Sequence, residues 1–179
     1  ESGVDGATTY KLYLTTPNST DVLNAILGNA ANPIVLGSSS QFFQDPAGSV
    51  LPTPAVMFGF FPQLAYDSYI TIGDDTPNEF IEFAPTADGS DPSWIGEFEE
   101  GNNLEINDPV GSGWYLDAGL MGYGVAGDDN RILMAQLTTP GTLYGELFLQ
   151  VFPGGLSAGN TVYLTMSFGS GSCGCMDDA

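Results

Sequence analysis

Thr161-Val-Tyr-Leu-Thr-Met-Ser-Phe168 places Val162, Leu164, Met166 and Phe168 at every second position, with Tyr163, Thr165 and Ser167 between them. That period of two marks a strand that buries one face and wets the other. Upstream, Leu143, Leu147, Leu149 and Val151 alternate with Tyr144, Glu146, Phe148 and Gln150. Arg131 to Thr138 (RILMAQLT) reads as a third strand, joined to the second through Thr139-Pro140-Gly141. Proline presets φ and glycine accepts positive φ, so Pro-Gly supplies a turn. Phe152-Pro-Gly-Gly-Leu-Ser-Ala-Gly-Asn160 supplies the next reversal. The C-terminal third is expected to form a three-strand antiparallel meander.

The same period recurs toward the N-terminus. Thr8 to Thr16 (TTYKLYLTT) sets Tyr10, Leu12 and Leu14 on one face and Thr9, Lys11, Tyr13 and Thr15 on the other; Pro17 and Asn18 end it. Asp21 to Leu27 fits a strand or a helical turn capped by Asp21. Ile34-Val-Leu36, following Gly-Asn-Ala-Ala-Asn-Pro, favours the strand. Tyr66 to Gly73 and Phe80 to Phe83 read as further strands, with weaker signals at Leu104 to Ile106 and Trp114 to Leu116. Many short strands, frequent Gly and Pro turns and no long helical period predict an all-β fold. The expected form is an antiparallel β-sandwich, jelly-roll-like, with long Pro/Gly loops. Residues 1–169 form one domain in this reading, and residues 170–179 a Gly/Ser/Cys tail. The N-terminal strand within residues 1–16 is open to exchange between subunits.

Composition restricts function. The chain has no histidine and only two basic residues, Lys11 and Arg131, against 22 acidic ones, for a net charge of -20. Such a surface repels nucleic acid and anionic membranes. A Ser-His-Asp triad is impossible. No run of about 18 apolar residues is present to cross a membrane. Aromatics at 12% and hydrophobics at 42% still provide a core. Self-repulsion is screened only at high salt, where the Debye length falls to about 3 Å at 1 M, which points to a saline, extracellular setting. Glu1-Ser-Gly-Val-Asp-Gly-Ala reads as a mature N-terminus whose leader has been removed, and two basic residues leave little for trypsin-like proteases to cut.

Chemistry-bearing candidates are few. Asp88-Gly-Ser-Asp91, Asp74-Asp75 and Gly127-Asp128-Asp129-Asn130 are oxygen-rich loops of the kind that bind calcium. Ordinary turn chemistry uses the same residues, and Arg131 has Asp128 and Asp129 as ready partners. Asp88, Asp91, Asp128 and Asp129 are the candidate ligands; no other cofactor is implied. Glu97 and Glu99, two apart, would share one face if they lay on a strand, the minimum for carboxylate-based glycoside hydrolysis. Trp94 and Trp114 either fill the core or stack on sugars. The run Phe58-Gly-Phe60-Phe61-Pro62 is costly to expose; it either folds over the core or meets a partner. Asn18-Ser19-Thr20 is a glycosylation sequon in a eukaryotic setting. Cys173 and Cys175 are too few for zinc without histidine, and suit a small disulfide ring or pairing between chains.

The strings FFQDP (42–46), FPQLAYDSYITIG (61–73), LMAQLTTPGT (133–142) and LQVFPGG (149–155) resemble a group of large secreted proteins of marine bacteria and algae. Those proteins join a β-rich domain to cysteine-rich repeats of the type C-x-D-P-x-A-x-N-Y…DDGSC. Cys173-Gly-Cys175-Met-Asp-Asp-Ala resembles the start of one such repeat. The resemblance implies secretion and a surface or matrix role, and carries over no active residues. The leading expectation is a secreted, non-enzymatic structural protein that self-assembles into a filament or surface layer. Tyr10, Leu12, Leu14, Phe58, Phe60 and Phe61 would form its subunit contacts, with Cys173 or Cys175 as a covalent lock. The alternative is a calcium-dependent carbohydrate-binding or adhesion module whose partners are glycans.

Overall fold

The computed structural model describes residues 3–85, 92–117, 121–155 and 159–169. Ten strands follow in chain order: β1 (Thr8–Thr15), β2 (Val22–Gly28), β3 (Ile34–Ser38), β4 (Tyr69–Gly73), β5 (Ile81–Ala84), β6 (Leu104–Ile106), β7 (Ser112–Leu116), β8 (Arg131–Thr139), β9 (Leu143–Phe152) and β10 (Val162–Gly169). A single short helix among the described residues, α1 (Ser93–Glu99), lies between β5 and β6. The strands form two antiparallel sheets, one of three strands in the order β1-β8-β4 and one of seven. The expected all-β sandwich is present.

The larger sheet is organised around β9. One edge of β9 pairs with β10 along its length, from Val162↔Val151 to Gly169↔Tyr144. Its other edge is shared: β2 takes the C-terminal half and β3 the N-terminal half. β2 continues through β7 to β5, and β3 continues to β6. The short strands are thus laid end to end against one long strand.

β8 departs from the expected meander. It pairs with β1 and β4 in the smaller sheet, not with β9, so Thr139-Pro140-Gly141 carries the chain from one sheet to the other. The reason lies in its composition. Ile132 to Thr139 is buried throughout, including Gln136, Thr138 and Thr139. A strand covered on both faces occupies the middle of a sheet, and its near-continuous run differs from the alternation of β9 and β10. Its inner side meets the larger sheet. Over its other side folds the long segment from Gln41 to Ser68: Gln136 Nε2 donates to the carbonyls of Ala65 and Asp67, and Thr138 O accepts from Phe43 N–H.

Between the sheets, Ile26, Leu36, Ile70, Ile72, Leu116, Ile132, Met134, Leu147 and Leu149 are fully enclosed. Aromatic side chains extend this core beyond the narrower sheet: Trp94 packs 5.8 Å from Trp114 and 5.7 Å from Phe83, and Phe42 packs 5.7 Å from Phe98. Asp21 is buried at the start of β2, where it accepts the N–H groups of Asn18 and Gly154. It therefore closes loops and does not cap a helix. At Gly113 (φ +152) β7 passes so near β2 that any Cβ would lie 2.2 Å from the carbonyl oxygen of Ile26. Only glycine allows that approach.

Candidate functional site

With three strands facing seven, one side of the sandwich stays open. β1 ends the smaller sheet and β10 lies at the border of the larger one. Between them runs a cleft of about 370 Å³, lined by Tyr10, Leu12, Leu137, Leu143 and Phe168 among others. The inner face of β1 grades across this opening. Leu14 is buried in the chain's own core, Leu12 is half-buried, and Tyr10 stands exposed at the mouth. Of the three contacts expected on this strand, Leu14 is therefore not available to a neighbour while β1 lies along β8. On β10, Val162 is 42% and Tyr163 54% exposed, with Leu164, Met166 and Phe168 half-buried.

A second apolar surface lies on the segment that covers the smaller sheet. Two 3-10 turns, Ala55–Gly59 and Pro62–Tyr66, hold it in shape. Leu64 anchors the second turn in the interior, and Phe58 is half-buried beside Lys11, Tyr69 and Gln136. Val56, Phe60 and Phe61 point outward, 73%, 75% and 45% exposed. The segment roofs the core, as the first reading of this run expects, and three large side chains remain on its outside.

The two cations pair with acids that line a third feature. Lys11 Nζ lies 2.6 Å from Asp75, and Arg131 lies 3.4 Å from Asp129 and 4.8 Å over the ring of Tyr13. The loop of Asp74 and Asp75 and the loop of Asp128 and Asp129 line one cleft of about 580 Å³, although some fifty residues of chain separate them. The hydrogen bond and charge of Lys11 hold the Asp75 carboxyl below the usual range. Among the described residues no three acidic or other ligand side chains group closely enough to hold a metal ion. Asp88 and Asp91 lie outside the described residues, as do Cys173 and Cys175.

One sequence reading needs correction, and another is decided between its alternatives. Glu97 and Glu99 lie on α1, not on a strand, so two residues' separation turns them apart. Glu99 Oε1 instead accepts the Val50 N–H, and Glu97 Oε2 accepts from Asn102 Nδ2. No paired-carboxylate site forms there. Trp94 and Trp114 are interior, their indole N–H groups donating to Ser112 Oγ and the Thr71 carbonyl; they offer no platform for sugars. Asn18 sits on an exposed turn, its amide nitrogen 3.3 Å from Asp21 Oδ2.

Sequence reasoning missed a row across the outer face of the larger sheet. Strand register aligns Tyr163, Gln150, Ala25, Tyr115 and Glu82 on five successive strands. Gln150 Nε2 donates to Tyr163 Oη at 2.8 Å, Asn24 donates to Gln150 Oε1 at 2.9 Å, and Tyr115 Oη donates to Glu82 at 2.7 Å. That last bond raises the Tyr115 phenol above its ordinary range. Phe148 and Tyr163 stack with centroids 5.7 Å apart. The wet-face positions of β9 and β10 were readable; their alignment with β7 and β5 depends on long-range register.

Comparison with known proteins finds no matching family model, no matching curated protein and no matching solved structure.

Proposed function

We propose that the protein is a secreted structural protein that self-assembles outside the cell into a filament or surface layer. The observation that carries this reading is the outward trio Val56, Phe60 and Phe61 along two successive 3-10 turns. Large apolar side chains clustered at a surface mark contact sites. The open cleft beside Tyr10 and Leu12 adds a second apolar surface on a different part of the molecule. At -20 per copy, contact requires screening by salt or bridging by a divalent ion such as calcium. Strand exchange is compatible with the pairing of β1: a neighbour's β1 in the same place would keep Leu14 enclosed.

The test is negative-stain electron microscopy with sedimentation in about 0.5 M NaCl, a strongly screened regime, with and without calcium. Fibres or sheets are expected. The exposed pair Phe60→Ser and Phe61→Ser should abolish them without unfolding the chain. Discrete monomers under every condition overturn the reading.

The stacked Phe148 and Tyr163 beside the amides of Gln150 and Asn24 favour a second reading, glycan binding across the outer sheet face. Apolar ring and amide together suit a sugar ring and its hydroxyls. Titration of soluble polysaccharides into the monomer tests it; Tyr163→Ala should lose any binding observed.

A further inference from the structure

We propose that β10 joins two copies of this chain antiparallel across a two-fold axis, so that their seven-stranded sheets become one continuous sheet. This rests on the self-association reading and names the contact.

An exposed strand edge is a template for pairing, and proteins guard such edges by shortness, charge, proline or a break in register. The other edges here are guarded in these ways. β5 has four residues and carries Glu82; β6 has three and carries Glu105. β1 carries Lys11, and its pairing with β8 shifts register after Leu12. β4 breaks register between Ile70 and Gly73 and leads directly into Asp74 and Asp75. β10 has eight residues, no charge, no proline and an unbroken register against β9. From Val162 to Phe168 no described strand pairs with its outer side.

The occupant follows from charge and pattern. Residues 147–176 hold no charged side chain, in a chain of net charge -20. The nearest acid on the paired strand is Glu146, which accepts from Ser167 Oγ at 3.3 Å. Two acidic copies meet with least repulsion along this edge. The sequence is also self-complementary: with Thr165 on the axis, Val162 faces Phe168 and Leu164 faces Met166 on the inner side. Tyr163 then faces Ser167 on the outer side, so every pair matches in polarity. The inner members are those the narrow sheet leaves part-covered, and a second copy would cover them.

A two-fold contact closes at a dimer, so growth into a polymer requires another surface, which the Phe60 and Phe61 turn supplies. The test substitutes the outward, exposed Thr165 by Lys and, separately, by Glu. Each variant opposes like charges across the axis. Sedimentation at low micromolar concentration should show dimers or larger species for the parent chain and tenfold or weaker association for either variant. An equimolar mixture should restore the parent's behaviour, which a merely misfolded variant would not do. The Phe60→Ser, Phe61→Ser protein should stop at the dimer. Thr165 variants that assemble like the parent overturn the β10 contact and leave self-association standing. A parent chain that stays monomeric overturns both, and slow hydrogen exchange along β10 in that monomer would show the edge covered within its own chain.

Discussion

Asp67 accepts the backbone N–H of Asp45 at 2.7 Å through one carboxylate oxygen, while the other is buried without a hydrogen-bond partner. Burial raises the pKa of this group from 3.8 to about 6, with the nearby Asp45 carboxylate adding to the rise and the backbone N–H of Asp45 opposing it. Between these two values the folded chain holds a proton that the unfolded chain has released. The contribution of Asp67 to stability is therefore fully present below about pH 4 and is lost as pH rises through about 6, by on the order of 2–3 kcal/mol in all. Asp67→Asn should flatten this slope and gain on the parent at pH 7. Denaturant titrations of both proteins at pH 4, 5, 6 and 7 check it; parallel profiles would refute the assignment.

Gly113→Ala should be among the most damaging single substitutions. Its Cβ would meet backbone, the carbonyl oxygen of Ile26 at 2.2 Å, in a conformation alien to L-residues. A loss of about 3 kcal/mol or more is expected. Gly154→Ala, at φ +66 with open space around it, should lose only about 1–2 kcal/mol. Comparing urea midpoints tests the contrast.

Trp114→Phe should separate the sheets' polar tie from their packing. The indole N–H on β7 donates to the Thr71 carbonyl on β4, 3.3 Å away, and so bridges the two sheets. Losing the bond and part of the ring should lower stability by about 2–3 kcal/mol. An unchanged unfolding midpoint would mean that the bridge contributes nothing.

Added salt should raise the melting temperature. Both described ion pairs, Lys11–Asp75 and Arg131–Asp129, are exposed and each is worth at most about 1 kcal/mol. Repulsion among 22 acids outweighs them. Scanning calorimetry from about 10 mM to about 0.5 M NaCl spans the relevant screening range. Lys11→Met should change stability by less than about 1 kcal/mol at low salt and not measurably at high salt.

Local alternation made β1, β9 and β10 legible, because each has one wet face and one dry one. β8 was legible as a strand but not in its sheet. Its neighbours in sequence suggested a hairpin, whereas burial on both sides required a central position. The short α1 was hidden because Trp94, Ile95 and Phe98 span too few turns to display a helical period, and Glu97-Phe98-Glu99 mimics a strand. The surfaces were half legible. The Phe58–Phe61 run announced itself by composition, but the pairing of the Asp74 and Asp128 loops in one cleft is a product of topology. So is the Tyr163-to-Glu82 row, which needs five strands in register.

The pairing of Thr8 with Thr139 also sets a schedule for the growing chain. Synthesis proceeds at about 5–20 residues per second, so β1 waits on the order of ten seconds before its partner exists. The sheet that closes the sandwich is assembled from distant parts, which makes folding slow. During that interval Tyr10, Leu12 and Leu14 lack the strand against which they later lie. The yield of folded chain therefore depends on the order in which these two strands emerge, as well as on final stability.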